Sequence, residues 1–372
     1  MVEQKNRIKI LHILYSGLGG HGNVFFSMVA ADIEKKYEFE AIFTGTEPLR
    51  LEYKEKCIAA NISFSYINKT EGKHVRFFMT VIKSIKKVNP DVLFLHGSIL
   101  VGAAWLATLG KKNKSKIIVR ETQAIHLKSK KEIIALRISM KLADKIVFLS
   151  KAYLEEIRIA FGKNYKKNKV VLIPNGIDLK IFSPSHKHEH LDKLVIGMQS
   201  RVVAIKDHET LLRSFALIKK HDPTKSYLLK IAGDGDKLKF LMRLADELSI
   251  KDDVIFLGML DEKELPQFLN SLDIYVHASY GETMSTAIMQ AMACGKAIVA
   301  SNVAGIRNMI IDGSTGLLVE LKDEKLMADA ILSIAKNRSL KQRLESEAYN
   351  FAVNEFSNIK MLAKYSKIFN KN

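Results

Sequence analysis

The chain has 372 residues, of which 47% are hydrophobic and 26% charged, a composition typical of a globular protein large enough for two domains. Its two cysteines argue against a disulfide framework, and no apolar run in the sequence is long enough to span a membrane. The net charge of +18 is uneven, because residues 1–185 carry 32 Lys and Arg against 16 Asp and Glu, whereas residues 186–372 carry 26 against 24. This asymmetry predicts an anionic partner for the N-terminal half, either a membrane surface or a polyanionic substrate.

Short β-rich runs alternate with helix-length amphipathic stretches from residue 7 onwards. This alternation predicts a mainly parallel, doubly wound sheet. The first predicted strand runs directly into a glycine loop, so we interpret it as part of the fold and not as a signal peptide, and we expect a cytoplasmic protein. The strands predicted in the first half are 8–14, 39–44, 62–67, 91–96, 116–120, 145–149 and 169–173.

A glycine-rich loop at residues 17–22 follows the first predicted strand and precedes a helix. It matches G-x-G-x-x-G, in which glycines let the backbone approach the phosphates of a dinucleotide. A dinucleotide site also needs an acidic residue near the end of the second strand, and residues 41–44 contain none. The sequence therefore disfavours a dinucleotide site, and a tight turn without a ligand is the alternative interpretation.

The strand predicted at 91–96 ends in His96, at the edge where parallel sheets bind ligands, although a purely structural histidine is the alternative. Further along, a polar segment at 185–193 contains three histidines. We interpret it as an interdomain linker, because an irregular segment does not fix the geometry of a metal site. The strands predicted after it are 194–199, 227–232, 254–257, 274–278, 297–300 and 316–319, and the last helix is predicted at 356–369.

Arg201 and Lys206 follow the strand predicted at 194–199 and precede an amphipathic helix. A guanidinium and an ammonium group at this position could neutralise a diphosphate leaving group, although each residue alone would most often be a surface charge. The turn at 233–236 contains Asp234 and Asp236 in a D-x-D pattern, which binds metal ions in some other proteins. We interpret its glycines, Gly233 among them, as turn and close-approach residues, and we expect no metal.

The segment 273–301 predicts a strand, a loop, a helix from about Thr283, and a second strand. Glu282 closes the loop, and the backbone N–H groups of the next three residues would face an anion at the helix N-terminus. Position 290 lies eight residues further, about 80° around the helix and roughly 12 Å along it. One sugar nucleotide could touch both positions, but an ordinary core helix is the alternative.

These motifs, in this order, resemble those of glycosyltransferase family 4, which are retaining sugar transferases of the GT-B fold. Residues 282–290 are similar to the family's E-x7-E signature, except that Gln290 replaces the second Glu. The run at residues 195–212 contains a stretch that resembles "GRLxxxKG", with Asp207 in place of the last Gly, and residues 170–178 resemble "VIPNGVD". The resemblance extends from residue 8 to about residue 320.

The resemblance implies an α/β protein of the GT-B fold, with two Rossmann-like, doubly wound parallel-sheet domains facing a cleft. The implied division is an acceptor-binding domain at 1–184, a linker at 185–193, a nucleotide-sugar-binding domain at 194–355, and a helix at 356–372 that crosses back to the first domain. The site residues it implies are Glu282 and His96 in the catalytic group; Arg201, Lys206, Thr283, Met284, Ser285, Gln290, Gly233 and Gly258 for the donor; and Gly19 and Gly20 in the acceptor or phosphate loop.

The predicted function is the retaining transfer of a sugar from a UDP-sugar, or alternatively a GDP-sugar, to a glycan acceptor, without a metal or other cofactor. From the basic first half we expect a lipid-linked acceptor of surface polysaccharide synthesis and peripheral attachment to the inner face of the cytoplasmic membrane. Nucleic acid is not expected, because no aromatic-interleaved or helix-turn-helix pattern accompanies the charge. A sugar-nucleotide epimerase of the same fold and a non-catalytic nucleotide-sugar or glycan-binding protein are the alternatives.

Overall fold

The computed structural model describes residues 7–17, 20–70, 72, 74–111, 113–123, 125–185 and 193–370. The chain forms two compact units, divided between Gly176 and Ile177 and again between Ser357 and Asn358. These divisions correct the expected domain boundaries at residues 184 and 355, because the core of the second unit includes Phe182 and Phe356. Most of the expected linker, residues 186–192, lies outside the described residues.

The first unit contains a seven-stranded parallel sheet in the order β3-β2-β1-β4-β5-β6-β7. Its strands are β1 (Ile8–Tyr15), β2 (Tyr37–Gly45), β3 (Ser63–Asn68), β4 (Val92–Leu95), β5 (Lys116–Arg120), β6 (Lys145–Phe148) and β7 (Val170–Leu172). The central strand β4 is a continuous run of buried apolar residues, because helices cover both faces of the sheet. The strand order reverses between β1 and β4, where parallel sheets bind ligands at their carboxyl edge.

Seven helices surround this sheet within the described residues. They are α1 (Gly20–Ala31), α2 (Leu51–Ala59), α3 (His74–Val88), α4 (Val101–Thr108), α5 (Lys130–Leu142), α6 (Lys151–Phe161) and, from the end of the chain, α14 (Asn358–Phe369). Helices α1, α2 and α14 share one core with the sheet, whereas α3 to α6 share the core on its other face. The C-terminal helix thus completes the core of the first unit, with Tyr365 and Phe369 buried in it.

The second unit contains a six-stranded parallel sheet in the order β10-β9-β8-β11-β12-β13. Its strands are β8 (Lys193–Gln199), β9 (Ser226–Ala232), β10 (Val254–Gly258), β11 (Ile274–His277), β12 (Ala297–Ser301) and β13 (Leu317–Val319). Its helices are α7 (His208–His221), α8 (Leu238–Glu247), α9 (Leu265–Asn270), α10 (Thr286–Ala293), α11 (Ala304–Arg307), α12 (Glu324–Lys336) and α13 (Arg338–Glu355). The order reverses between β8 and β11, so the site of interest is expected at their carboxyl ends.

All thirteen predicted strands are present, with ends shifted by up to two residues. The fold is therefore confirmed as two Rossmann-like parallel-sheet units. The helix expected from about Thr283 begins later, at Thr286, because the side chain of Ser285 accepts from the N–H of Ile288 and acts as the N-cap. The described helices include none with both the length and the hydropathy needed to cross a membrane.

Candidate active site

Two loops at the carboxyl ends of neighbouring strands in the second unit bring Glu282 and Lys206 together. Strands β8 and β11 pair in parallel, so the loops that follow them lie side by side. The N–H of Tyr280 in one loop donates to the carbonyl of Ile205 in the other at 2.9 Å. Lys206 Nζ donates to Glu282 Oε1, and the two side chains are only 12% and 14% exposed. The result is a partly buried ion pair at the edge of the sheet.

His277, the last residue of β11, holds the same carboxylate from another side. Its Nε2 lies 3.0 Å from Glu282 Oε1, and its Nδ1 lies 3.1 Å from the hydroxyl of Tyr275. Burial, and then the positive charge of Lys206, lowers the pKa of His277 well below its ordinary value, so the imidazole is neutral. Because an ionised carboxylate only accepts, Nε2 carries the proton, and Nδ1 faces the hydroxyl of Tyr275, which also lies 3.3 Å from the carbonyl oxygen of Gln199. His277 was missed in the sequence, although it ends a strand just as His96 does.

The cation at position 206 has an unusual environment. Burial, followed by the charge of Arg201, lowers the pKa of Lys206 to about 8. The contact with Glu282 acts in the opposite direction, because an adjacent anion favours the ammonium form. Arg201 itself is exposed and is close enough for its charge to reach Lys206. The two predicted cations therefore lie in one electrostatic environment.

Closely packed glycines position these loops. A Cβ at Gly233, where φ is +145°, would lie 1.8 Å from the carbonyl oxygen of Ser200, the residue before Arg201. The N–H of Gly233 also donates to the carbonyl of Gly258 at 2.7 Å. In the same way, a Cβ at Gly305 in α11 would lie 1.8 Å from the carbonyl oxygen of Glu282. Gly305 was missed, because a single glycine gives no sequence signal for a contact with a distant loop.

The structure corrects the position of the helix start at the expected backbone anion site. Thr283 and Met284 lie before α10 and not in its first turn, and the N–H of Ser285 donates to the sulfur of Met309 at 3.2 Å. The hydroxyl of Ser285 lies 3.3 Å from His277 Nε2. Ser285 therefore contacts the histidine that holds Glu282, and its N–H is already engaged.

Gln290 lies within α10 and is 5% exposed. Its Oε1 accepts from Gln199 Nε2 at 3.1 Å, so the acceptor oxygen is occupied by the last residue of β8. Gln199 Oε1 is buried and has no hydrogen-bond partner in the described part of the chain. The Gln199–Gln290 pair connects β8, the strand before Arg201, to the helix that follows Glu282.

In the first unit, His96 belongs to a group of three histidines: His12 is buried within β1, His96 is buried just after β4, and His21 is partly buried at the start of α1. His96 Nε2 lies 3.1 Å from His12 Nδ1, and the rings of His96 and His21 are 5.5 Å apart. Burial, and then the charge of Arg120, lowers the pKa of His12 to about 3. Burial also lowers the pKa of His96 well below its ordinary value. His96 is thus a neutral imidazole whose Nδ1 has no partner among the described residues.

A cavity of about 310 Å³ in the first unit is lined in part by His21 and His96. Glu121, which follows β5 directly, lies in its wall and is 1% exposed. Lys128 Nζ donates to Glu121 Oε2 at 2.5 Å, and the hydroxyl of Ser98 donates to its other oxygen. Glu121 was missed in the sequence, where its position directly after a buried strand was the available signal.

Of the two glycines assigned to the acceptor loop, the structure describes only Gly20. Gly19 lies outside the described residues. Gly20 begins α1, and a Cβ there would meet no atom within 4 Å, so local packing does not require a glycine at this position. Among the residues that the structure describes, His, Cys, Asp and Glu side chains do not form a group of three that could hold a metal ion.

Comparison with known proteins identifies two family models. The model described as Glycosyltransferase Family 4 matches residues 18–181, and that described as Glycosyl transferases group 1 matches residues 182–351. A relative from Methanocaldococcus jannaschii, the uncharacterized glycosyltransferase MJ1069, is 28% identical over 63% of this chain, but the match spans only 60% of that protein. N-acetyl-alpha-D-glucosaminyl L-malate synthase from Bacillus anthracis is 24% identical over 98% of this chain and 97% of the relative.

The fold is also that of solved structures. The Anabaena protein Alr3699/HepE, crystallised with UDP-glucose, superposes with a TM-score of 0.81 over 97% of this chain and 99% of that chain, at 18% sequence identity. At this identity the likeness establishes the architecture alone.

Proposed function

The chain belongs to the family 4 glycosyltransferases of GT-B fold, and we propose that it transfers a sugar from a nucleotide diphosphate sugar to an acceptor hydroxyl with retention of configuration. The observation that carries this proposal is the contact of Lys206 with Glu282, together with the support of that carboxylate by His277. The three side chains lie where the strand order reverses in the second unit.

Each group has a role that suits this chemistry. The diphosphate leaving group gains negative charge as its bond to the sugar breaks, and Lys206 and Arg201 would neutralise that charge. Glu282 would accept hydrogen bonds from hydroxyls of the donor sugar, with its orientation held by His277. Gln290, with its acceptor oxygen occupied by Gln199, would offer amide donors to the ribose.

The proposed transfer needs no covalent bond between the sugar and the enzyme. The acceptor oxygen forms a bond to the anomeric carbon while the bond from that carbon to the diphosphate oxygen breaks. The acceptor proton moves to the departing phosphate oxygen, so both events occur on the same face of the sugar. Retention then follows from front-side attack, as the resemblance to the family implies.

We favour a UDP-sugar as donor and a lipid-linked glycan as acceptor, in surface polysaccharide synthesis at the inner face of the cytoplasmic membrane. The UDP-glucose bound by the Anabaena protein of the same fold supports the donor. The excess of Lys and Arg in the first half supports an anionic acceptor. The cavity beside His96 and Glu121, in the unit that binds acceptors in this family, is where we propose that the acceptor hydroxyl enters.

Two measurements test the proposal. The first is thermal unfolding with UDP, GDP and ADP and their sugars, because a ligand at 100 times its Kd stabilises by about 2.7 kcal/mol. The second is product analysis with the stabilising donor and a lipid-linked oligosaccharide fraction, with Glu282→Ala as the inactive control. The proposal is supported if the wild type transfers the sugar to lipid and Glu282→Ala does not.

The other outcomes identify the alternatives. Conversion of the donor sugar to its epimer without an acceptor would indicate an epimerase. Stabilisation by a donor without any turnover would indicate a binding protein.

A further inference from the structure

Three neighbouring helices form one side of the first unit. Helix α4 packs between α3 and α5, and the inner sides of all three share a core with the sheet. In α3 the buried positions are Phe77, Val81 and Ile85, at helical spacing. The opposite sides of the three helices point away from the sheet, and we call this surface the α3–α5 face.

The α3–α5 face exposes large apolar side chains on every one of its helices. Val75 and Met79, one turn apart on α3, are 78% and 50% exposed, and Ile134 and Ile138 repeat the same spacing on α5. Trp105 and Leu106 are exposed on α4 between them. Single exposed apolar residues are ordinary, whereas a group on adjacent helices indicates an interaction surface.

The same stretch of chain is strongly basic. Residues 74–142 contain 14 Lys and Arg but only three acidic residues. Each of those three has a partner within the first unit. Asp91 accepts from the N–H of Lys9, Glu121 is buried against Lys128, and Glu132 forms the capping box of α5 with Ser129.

Exposed cations continue the apolar stripes along each outer helix. On α3, Lys83, Lys86 and Lys87 follow Met79 and are exposed. On α5, Arg137 is exposed next to Ile138. Apolar side chains flanked by Lys and Arg, on helices that lie flat against a domain, are the pattern of a surface that binds in the plane of a bilayer.

We infer that the α3–α5 face binds the surface of an anionic lipid bilayer. The apolar side chains enter the boundary between headgroups and acyl chains, and the Lys and Arg side chains contact lipid phosphates. The position of Trp105 on the central helix agrees with this, because indole rings favour the membrane interface. A protein partner would need its own acidic surface to match the exposed Lys and Arg side chains of α3 and α5, whereas an anionic bilayer offers that charge uniformly.

This inference deepens the proposed function and rests on it for the nature of the acceptor. The cavity in the first unit is lined by Phe77 of α3, by Ile99 just before α4, and by Glu132 of α5. The N-terminal ends of the three helices on the face therefore border that cavity. A sugar attached to a membrane lipid would reach the cavity from the surface on which its lipid is embedded.

The chain contains one tryptophan, so the fluorescence of Trp105 reports on this face alone. The purified chain is mixed at low salt with vesicles of phosphatidylcholine and, separately, with vesicles of phosphatidylcholine and phosphatidylglycerol in equal parts. We expect a blue shift of the emission, and quenching by brominated acyl chains, with the anionic vesicles only. We also expect 1 M salt to reverse both effects, because screening then acts within about 3 Å.

A triple variant tests the face against general attraction of a basic protein to anionic lipid. Lys83→Gln/Lys86→Gln/Lys87→Gln should weaken vesicle binding by about fivefold for each charge removed. The matched control is Lys237→Gln/Lys239→Gln/Lys263→Gln, which removes three exposed charges from the second unit and should leave binding unchanged. Circular dichroism checks that both variants fold.

Three results would overturn the inference. The first is an unshifted Trp105 emission with anionic vesicles at low salt. The second is an equal loss of vesicle binding in both triple variants. The third is a blue shift without vesicles that grows with protein concentration while the particle mass in solution doubles. The last result would show that the face binds a second copy of the chain. None of these measurements uses sugar transfer, so failure here is distinct from failure of the proposed function.

Discussion

The Glu282 carboxylate accepts a hydrogen bond from His277 Nε2 at 3.0 Å while it also contacts the ammonium group of Lys206. A neutral imidazole thus orients the carboxylate, and the ammonium group of Lys206 favours its ionised form. Because His277 is itself held by Tyr275, the position of Glu282 is decided by residues that need not touch the substrate. The predictions below start from this arrangement.

The role of His277 predicts a separation of kcat from donor binding. His277→Phe keeps a ring beside Tyr275 but removes the donor to Glu282, so we expect kcat to fall by about 10-fold or more, the value of one charge-assisted hydrogen bond. The affinity for the nucleoside diphosphate, measured by calorimetry, should change little. A loss of nucleotide affinity as large as the loss of kcat would contradict a positioning role.

The two cations predict an effect on the diphosphate. Arg201→Ala and Lys206→Met should each weaken nucleoside diphosphate binding by roughly 1.5–3 kcal/mol. Lys206→Met should also destabilise the protein, because it leaves Glu282 partly buried without its cation, and the added change Glu282→Gln should restore much of that stability. Unaltered affinity in the Arg201→Ala/Lys206→Met double variant would remove both residues from the site.

The contact between α11 and the loop of Glu282 predicts that Gly305 is needed for activity. Gly305→Ala places a Cβ within 1.8 Å of the carbonyl oxygen of Glu282, so the loop must move and kcat should fall at least 10-fold. Gly102→Ala in α4 is the matched control, because a Cβ there meets no atom within 4 Å. Equal activity of the two variants would contradict the prediction.

Position 290 departs from the family pattern, and its effect can be measured. Gln290→Glu restores the carboxylate, which can still accept from Gln199 and can also accept from ribose hydroxyls. We expect the KM for the donor to stay the same or fall, while the melting temperature drops slightly because the side chain is buried. A severalfold rise in the donor KM of a folded variant would argue against a ribose contact.

The buried histidines predict loss of stability in acid. The pKa of His12 is about 3 in the folded chain, against about 6.5 when unfolded, so the unfolded state binds the extra proton. Stability is therefore full above about pH 6.5 and falls as the pH decreases towards 3, by up to about 1.4 kcal/mol per pH unit for such a histidine.

Urea unfolding at several pH values measures this dependence. His12→Leu should reduce the dependence of the unfolding free energy on pH in that range, whatever it does to stability at neutral pH. If the wild type and His12→Leu lose stability equally as the pH decreases, His12 is not responsible.

The sequence predicted the fold well because strand and helix periodicity is local information. All thirteen strands were identified, and the order of motifs such as P-N-G at residues 174–176 indicated the two-unit architecture. The sequence predicted the division between the units at residue 184, later than the observed division at Gly176. The polarity of residues 185–193 suggests a linker there, and the sequence does not show that Phe182 belongs to the core of the second unit. The start of α10 was placed too early, because Thr283 and Ser285 are both good N-cap residues and only the contacts of Ser285 decide between them.

The sequence by itself determined which side chains could perform the chemistry: a carboxylate after one strand, two cations after another, and a basic first half. Only the tertiary structure decided that Lys206 touches Glu282, that His277 supports it, and that the backbone of Glu282 requires Gly305. It also showed that the apolar and basic side chains of α3, α4 and α5 share one surface. Apart from the contact of His277 with Glu282, these relationships join residues that are well separated in the chain. They depend on which strands pair and where the reversal of strand order falls, which local periodicity does not specify.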